Sequence, residues 1–159
     1  MNLNDNEVEA AFRKEVQAFL KAEAPQAEKG VGGEEALVAN WERNQVWFRK
    51  LADKGWIAPA WPTEYGGAGL SSMQQFVLNE ELALNRVPRP LHLIIGLGMA
   101  GPTIIVHGTE EQKKEHLPGM IAGEDIWCQG YSESEAGSDL ASLQTKAVRD
   151  GDDYVINGQ

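Results

Sequence analysis

A glycine- and proline-rich stretch between residues 55 and 70 is the feature that most limits how this chain folds. It contains four glycines and two prolines, which are incompatible with a long regular helix or strand. Trp56 and Trp61 lie within it and are expected to anchor it on a hydrophobic core. We therefore predict an ordered Ω-type loop here.

Helical periodicity precedes this loop. The first helix is predicted from apolar residues that form one face, namely Val8, Phe12, Val16, Phe19 and Leu20. Asn4 or Asp5 is expected to cap it, and Ala24-Pro25 to end it. A polar linker over 26–33 leads to a second helix that stops at Lys54-Gly55. The second helix is marked by Leu37, Trp41, Phe48 and Leu51.

A third helix is predicted after the loop. Ser71 or Ser72 caps it. Its apolar positions are Met73, Phe76, Val77, Leu82 and Leu84. Glu80 and Glu81 are adjacent in it and therefore point about 100° apart. They do not form an acid/base pair, and we expect either a solvated pair or a single arginine or N–H partner.

The segment 91–106 is apolar on nearly every side, which predicts a helix buried all round. It carries Gly96, Gly98 and Gly101, although each glycine costs a helix about 1 kcal/mol relative to alanine. Two interpretations remain open. The glycines either allow close packing of another element, or they shape the wall of an apolar ligand pocket.

The residues Thr109 to Gln112 predict a capping box that starts a short helix through Lys113, Lys114 and Leu117. The three histidines, His92, His107 and His116, are scattered, with no acid or cysteine at the spacing of metal ligands. We expect each of them to serve packing or to lie on the surface.

A short apolar run, Ile126 to Cys128, predicts a strand, and a segment dense in hydroxyls, carboxylates and glycine follows it. N–H groups around Gly137 and the hydroxyls of Ser132 and Ser138 are donors that can hold a polar heterocycle or a phosphate. The alternative is a solvated loop between two strands. Further on, 143–149 and 154–156 predict the two strands of a hairpin that turns at 150–153.

Composition excludes several classes of partner. The net charge is −10 and no basic run is present, which argues against nucleic acid or an anionic membrane surface as the main partner. The single Cys128 rules out an internal disulfide. No apolar run is long enough to span a membrane, and the polar N-terminus is unlike a signal peptide. These features predict a cytoplasmic protein.

Three motif groups in the same order resemble the acyl-CoA dehydrogenase family. They are the Gly-Trp…Glu-Tyr-Gly-Gly stretch within 55–70, the Gly-Thr-Glu-Glu-Gln-Lys-Lys stretch at 108–114, and 131–133 followed by 136–141. The resemblance implies a mainly α fold. An all-α N-terminal domain would cover 1–125, and the first strands of an antiparallel β domain would cover 126–159.

Membership implies FAD-dependent α,β-dehydrogenation of an acyl-CoA, in lipid metabolism and fatty acid β-oxidation. Electron-transferring flavoprotein would be the acceptor, and the enzyme would be a homo- or hetero-oligomer. The family's flavin contacts fall on Gln129, Tyr131, Ser132, Gly137 and Ser138. Its substrate contacts fall on Ser138, Leu91, Ile95, Gly96 and Met99. No catalytic base and no metal ligand is assigned within these residues.

The chain departs from the family at Ser134 and Glu135, where a proline and a glycine are usual. A turn that needs positive φ strains a non-glycine residue, so we expect a strained turn and weakened FAD binding. Three hypotheses stay open: an N-terminal portion of a dehydrogenase, a non-catalytic subunit that pairs with a fuller partner, or a helical interaction module without cofactor.

Overall fold

A computed structural model describes residues 5–25 and 41–158. Within them the chain forms five α-helices and one two-stranded antiparallel sheet, as the predicted mainly α class requires. The helices are α1 Glu7–Glu23, α2 Trp41–Asp53, α3 Ser72–Leu84, α4 Gly101–His107 and α5 Glu110–Ala122. The chain divides into two compact units, Met1–Trp127 and Cys128–Gln159. The predicted linker 26–33 and the predicted helical position Leu37 lie outside the described residues.

Capping boxes fix the beginnings of three helices. Asn6, rather than Asp5, caps α1 and pairs reciprocally with Glu9. The prediction of Asn4 or Asp5 as the cap is therefore wrong, and the Asp5 carboxylate instead accepts hydrogen bonds from Arg13. Ser71, one of the two residues predicted, caps α3 in the same way. Thr109 caps α5 through the capping box that was predicted there. The helix α1 ends at Ala24, before Pro25, also as predicted.

The core of the first unit lies between α1, α2, α3 and the loop 55–70. It is a single cluster of buried side chains: Phe12, Val16, Leu20, Trp47, Phe48, Leu51, Trp56, Ile57, Ala58, Trp61, Val77, Leu78, Leu82, Val87, Leu93, Leu117 and Met120. Trp56 meets Phe12 and Phe19 edge to face, with ring centroids 5.8 and 5.0 Å apart. Such pairs stabilise a core beyond the area they bury.

The loop 55–70 is ordered as predicted, with a 3₁₀ turn at Thr63–Tyr65. Trp56 and Trp61 are both buried and anchor it. The Trp61 indole N–H donates to the Leu97 carbonyl oxygen at 2.9 Å, which satisfies the one polar atom that this side chain buries. The loop is therefore a packed part of the core.

The segment 91–107 is only partly buried, so the prediction of a helix buried all round is wrong. It begins with a 3₁₀ turn, Leu91–Leu93, and passes through a π-helical turn, Gly96–Ala100, into α4. Leu91, Ile94, Met99 and Val106 are exposed. An apolar sequence does not show which faces of a segment are covered by other residues. Here one apolar face has no partner among the described residues.

Two of the three glycines in this segment are explained by packing. A side chain at Gly101 would overlap the Trp61 indole ring, and one at Gly96 would meet the Trp127 ring at 3.2 Å. Gly98 differs, because no described atom comes within 4 Å of the position that its Cβ would take. The close-packing interpretation therefore holds for Gly96 and Gly101 within this chain.

The helix α3 ends in a Schellman motif. The N–H of Val87 donates to the Leu82 carbonyl oxygen at 3.3 Å, and that of Arg86 to the Ala83 carbonyl oxygen at 3.0 Å. Arg86 has φ 51°, a left-handed conformation that favours glycine and is costly for a residue with a Cβ. Burial of Val87 holds the residue there despite this cost.

The second unit contains the hairpin. β1 Lys146–Asp150 pairs with β2 Asp153–Asn157, with Asp150 opposite Asp153. This leaves Gly151 and Asp152 as the turn, as predicted, and Gly151 has φ 64°. The predicted strand at Ile126–Cys128 does not form. A strand needs a neighbour to take its hydrogen bonds, and no described strand pairs with this run.

Candidate functional site

The segment that carries the predicted flavin contacts, residues 129–138, is called the signature loop below. It turns between Glu133 and Ala136, where the Ala136 N–H donates to the Glu133 carbonyl oxygen at 3.2 Å. Neither residue at the centre of this turn, Ser134 or Glu135, has a positive φ. The prediction of a strained turn is therefore wrong, because the chain uses a turn that both residues adopt without the penalty of a left-handed conformation.

The Glu133 side chain is bonded within its own unit. Its two carboxylate oxygens accept hydrogen bonds from the backbone N–H groups of Gln144 at 2.9 Å and Thr145 at 2.6 Å. Hydrogen bonding from the Thr145 side chain and from these two N–H groups holds the pKa of Glu133 below its ordinary value. No sequence pattern predicts this contact, since the partners are ordinary backbone groups.

The other predicted donors of the signature loop are available. The hydroxyls of Ser132 and Ser138, and the N–H groups of Gly137 and Ser138, have no hydrogen-bond partner among the described residues, and all three residues are exposed. Tyr131 and Gln129 are also exposed. The donors therefore flank an ordered turn, and none of the described residues uses them.

The surroundings of Gly137 are also open. Its φ is not in the left-handed region, so its backbone conformation does not require glycine. Nor does packing require it, because no described atom lies within 4 Å of the position of an added Cβ. Neither backbone conformation nor packing among the described residues therefore requires glycine here, and the space beside Gly137 is open. A flavin or pyrophosphate group fits this arrangement of free donors beside a residue without a side chain.

The predicted substrate residues occupy the start of the 91–107 segment. Leu91, Ile95 and Met99 are four residues apart; Leu91 and Met99 are exposed and Ile95 is half-buried. Gly96 is buried against Trp127. A groove of about 300 Å³ runs between α3 and this segment, and Leu91 alone of the four lines it. Other lining residues of that groove are Leu78, Leu82, Pro88, Ile94 and Gly98.

A larger groove of about 880 Å³ lies elsewhere in the first unit, between α2, the 3₁₀ turn at Thr63–Tyr65 and α5. Its floor includes Leu117 and Ile121, and its rim carries charges of both signs. None of the residues predicted to bind flavin or substrate lines it. We assign no ligand to this groove, because its rim carries both positive and negative side chains and does not favour a ligand of either charge.

The adjacent acids of α3 have an arginine partner, one of the two arrangements expected. Arg13 donates to Glu80 at 2.6 Å and to Glu81 at 2.8 Å, and also bonds Asp5. Glu81 is buried and also accepts from the Gln17 amide at 3.0 Å. Hydrogen bonding from Arg13 lowers the pKa of Asp5. These carboxylates stabilise the contact between α1 and α3 and are not poised as a catalytic base.

The histidines serve packing or lie on the surface, as predicted. His92 lies against Trp41 and Phe48, with ring centroids 4.8 and 5.4 Å apart, and burial lowers its pKa. His116 meets Trp127 edge to face, and His107 is exposed. The part of the chain that the structure describes has no group of three or more potential metal-binding side chains. It also has no helix with the length and hydropathy to cross a membrane.

Comparison with known proteins identifies the class. Residues 6–124 match the family model described as acyl-CoA dehydrogenase, N-terminal domain. The chain is 41% identical to the acyl-CoA dehydrogenase FadE26 of Mycobacterium tuberculosis over 93% of its own length. The chain therefore belongs to the acyl-CoA dehydrogenase family. It spans 36% of the length of FadE26.

Solved structures agree with this assignment. The chain superposes on the ChsE4-ChsE5 complex from Mycobacterium tuberculosis with a TM-score of 0.71 at 35% identity, over 99% of this chain and 39% of that one. It superposes on the Tcur3481-Tcur3483 steroid ACAD with a TM-score of 0.70 at 38% identity, over 99% of this chain and 40% of that one. The shared part is the helical unit together with the start of the β region.

Proposed function

We propose that this chain forms the N-terminal part of an FAD-dependent acyl-CoA dehydrogenase and that its signature loop contacts the flavin. The observation that carries this proposal is the set of free donors at Ser132, Gly137 and Ser138, held on an ordered turn and unused by the chain. Hydroxyl and N–H donors in this arrangement suit the polar edge of a flavin ring and a pyrophosphate. Gln129 and Tyr131 would add backbone contacts.

The apolar residues of the 91–107 segment would receive the acyl group. Leu91, Ile95 and Met99 offer an apolar surface that the described chain leaves at least partly open, and Gly96 keeps the Trp127 ring close to it. Ser138 would contact the CoA side of the substrate. Because the Tcur3481-Tcur3483 protein is described as a steroid ACAD, bulky ring-containing acyl thioesters are the substrates to test first.

The chemistry that FAD supplies in this family is acceptance of a hydride from the β-carbon, while a carboxylate removes the α-proton. The described residues contribute binding and orientation to that reaction. None of them is proposed as the base, since Glu80 and Glu81 are held by Arg13 and Glu133 is held by backbone N–H groups.

Assembly with a second subunit is the other part of the proposal. The ChsE4-ChsE5 structure is a complex of two proteins, which supports a hetero-oligomer in which another chain completes the site. Electron-transferring flavoprotein is the proposed acceptor of the electrons. A non-catalytic role for this chain within such a complex is the second candidate function, and it is supported by the fact that no described residue is proposed as the base.

The proposal predicts the effect of Ser132→Ala on FAD binding. One lost hydrogen bond to the flavin weakens binding about threefold to tenfold, since such a bond contributes about 0.5–1.5 kcal/mol. Isothermal titration of FAD into the native and variant chains measures the change. Ser134→Ala is the matched control, because Ser134 lies in the same loop outside the donor set. Equal dissociation constants for the native chain and Ser132→Ala would show that Ser132 does not face the flavin.

A further inference from the structure

Glu133 occupies a special position in the second unit. It directly follows Ser132, and its carboxylate bonds the two N–H groups that directly precede β1, those of Gln144 and Thr145. One side chain thus connects the middle of the signature loop to the beginning of β1. An acid that accepts two backbone N–H groups is a strong anchor, because both bonds involve a charged acceptor.

Further bonds close the loop on its other side. Ala136 N–H donates to the Glu133 carbonyl oxygen at 3.2 Å. The Ser142 hydroxyl donates to the carbonyl oxygen of Asp139 at 2.9 Å and lies 3.2 Å from that of Glu135. Gly137 and Ser138 lie between these tie points, and Ser132 directly precedes the first of them, Glu133. Their positions therefore depend on the bonds at both ends.

We propose that Glu133 is a positioning residue: its carboxylate fixes the signature loop to the hairpin and so holds Ser132, Gly137 and Ser138 in place for their ligand. The part of this inference that concerns FAD rests on the proposed function above. The part that concerns loop geometry stands on the two hydrogen bonds alone.

This arrangement also answers an electrostatic objection. A carboxylate beside a flavin pyrophosphate would repel it, but the two N–H groups hold the Glu133 carboxylate toward β1 and partly offset its charge with their dipoles. The other charged residues near it in sequence are Glu135 and Asp139 in the loop and Lys146 at the start of β1, and the described residues show no ion pair between any of them and Glu133. The lowered pKa of Glu133 agrees with an anchored carboxylate.

The test compares Glu133→Gln with Glu135→Gln in the full 159-residue chain. Both changes remove one negative charge from the same loop, so they reduce the long-range repulsion of anionic FAD by a similar amount. Only Glu133→Gln breaks the anchor, because a carboxamide has one oxygen and its NH₂ group opposes the second N–H. We expect the Gln144 and Thr145 amides to exchange with solvent about tenfold faster in Glu133→Gln, and at the native rate in Glu135→Gln.

FAD titration of the same proteins supplies the functional readout. We expect Glu133→Gln to bind FAD about threefold to tenfold more weakly than the native chain, and Glu135→Gln to bind it no more weakly. In the native chain, the Thr145 amide resonance should titrate with the Glu133 carboxyl, with a midpoint below the ordinary glutamate pKa. The unfolding midpoint of the helical unit should not change in either variant.

The possible failures are separable. Unchanged amide exchange in Glu133→Gln would overturn the anchoring role. Faster exchange with unchanged FAD affinity would overturn the positioning role but leave the proposed function intact. Absence of FAD binding by the native chain would overturn the proposed function, while the amide exchange would still decide whether Glu133 holds the loop.

Discussion

Replacing Gly101 with alanine is expected to destabilise the chain by about 3 kcal/mol, the upper end of the cost of overpacking a core. The added methyl group would overlap the Trp61 indole ring. The ring is buried, and its N–H is bonded to the Leu97 carbonyl oxygen at 2.9 Å, so it cannot move aside without losing that bond. Denaturant unfolding of the two proteins measures the difference.

Gly98→Ala is the matched control for that experiment. Gly98 belongs to the same helical segment, but no described atom lies within 4 Å of its added methyl group. The change should therefore be neutral or stabilise by up to about 1 kcal/mol, because alanine favours a helix over glycine. Equal stability of Gly101→Ala and the native chain would contradict the observed packing of Trp61.

The second large effect is expected at Arg13. Arg13→Met leaves the buried Glu81 carboxylate without its cation, and breaking a buried pair in this way costs about 3 kcal/mol. Lys50→Met is the control, since it removes a cation whose pair with Glu23 is solvent-exposed. That change should cost less than about 1 kcal/mol. Thermal and denaturant unfolding at neutral pH compare the two variants.

The Arg13 effect should depend on pH in a defined direction. Hydrogen bonding from Arg13 lowers the pKa of Asp5 in the folded state, so this pair stabilises the fold above the unfolded pKa of about 3.9. The stabilisation is lost as the pH falls through the lower, folded pKa. The stability difference between the native chain and Arg13→Met should therefore shrink below about pH 4. A constant difference between pH 7 and pH 2 would contradict an ionic origin.

Local sequence patterns predicted much of this fold. The sequence alone could predict the helix caps at Ser71 and Thr109 and the turn at Gly151, because each depends on residues a few positions apart. An arginine partner was one of the arrangements predicted for Glu80 and Glu81. That this arginine is Arg13 depends on how α1 packs on α3. Sequence alone does not give that packing.

The errors have a common physical origin in tertiary context. The run Ile126–Cys128 has strand composition but no described strand pairs with it. The segment 91–106 is apolar on all sides, but composition does not report which sides are covered. The replacement of proline and glycine by Ser134 and Glu135 predicts a strained backbone turn, whereas the chain adopts a turn without positive φ. The bonds from the Gln144 and Thr145 N–H groups to Glu133 could not be predicted, because backbone partners carry no sequence signal.

Residue-resolved titration of the 159-residue chain with FAD, followed through backbone amide resonances, tests the central proposal most directly. The few donors of the signature loop provide about 4 kcal/mol, which corresponds to a dissociation constant on the order of 1 mM. We expect saturable shifts at Ser132, Gly137 and Ser138, with none in α1. Shifts confined to other parts of the chain, or no shift at millimolar FAD, would contradict a flavin-contacting role for the signature loop.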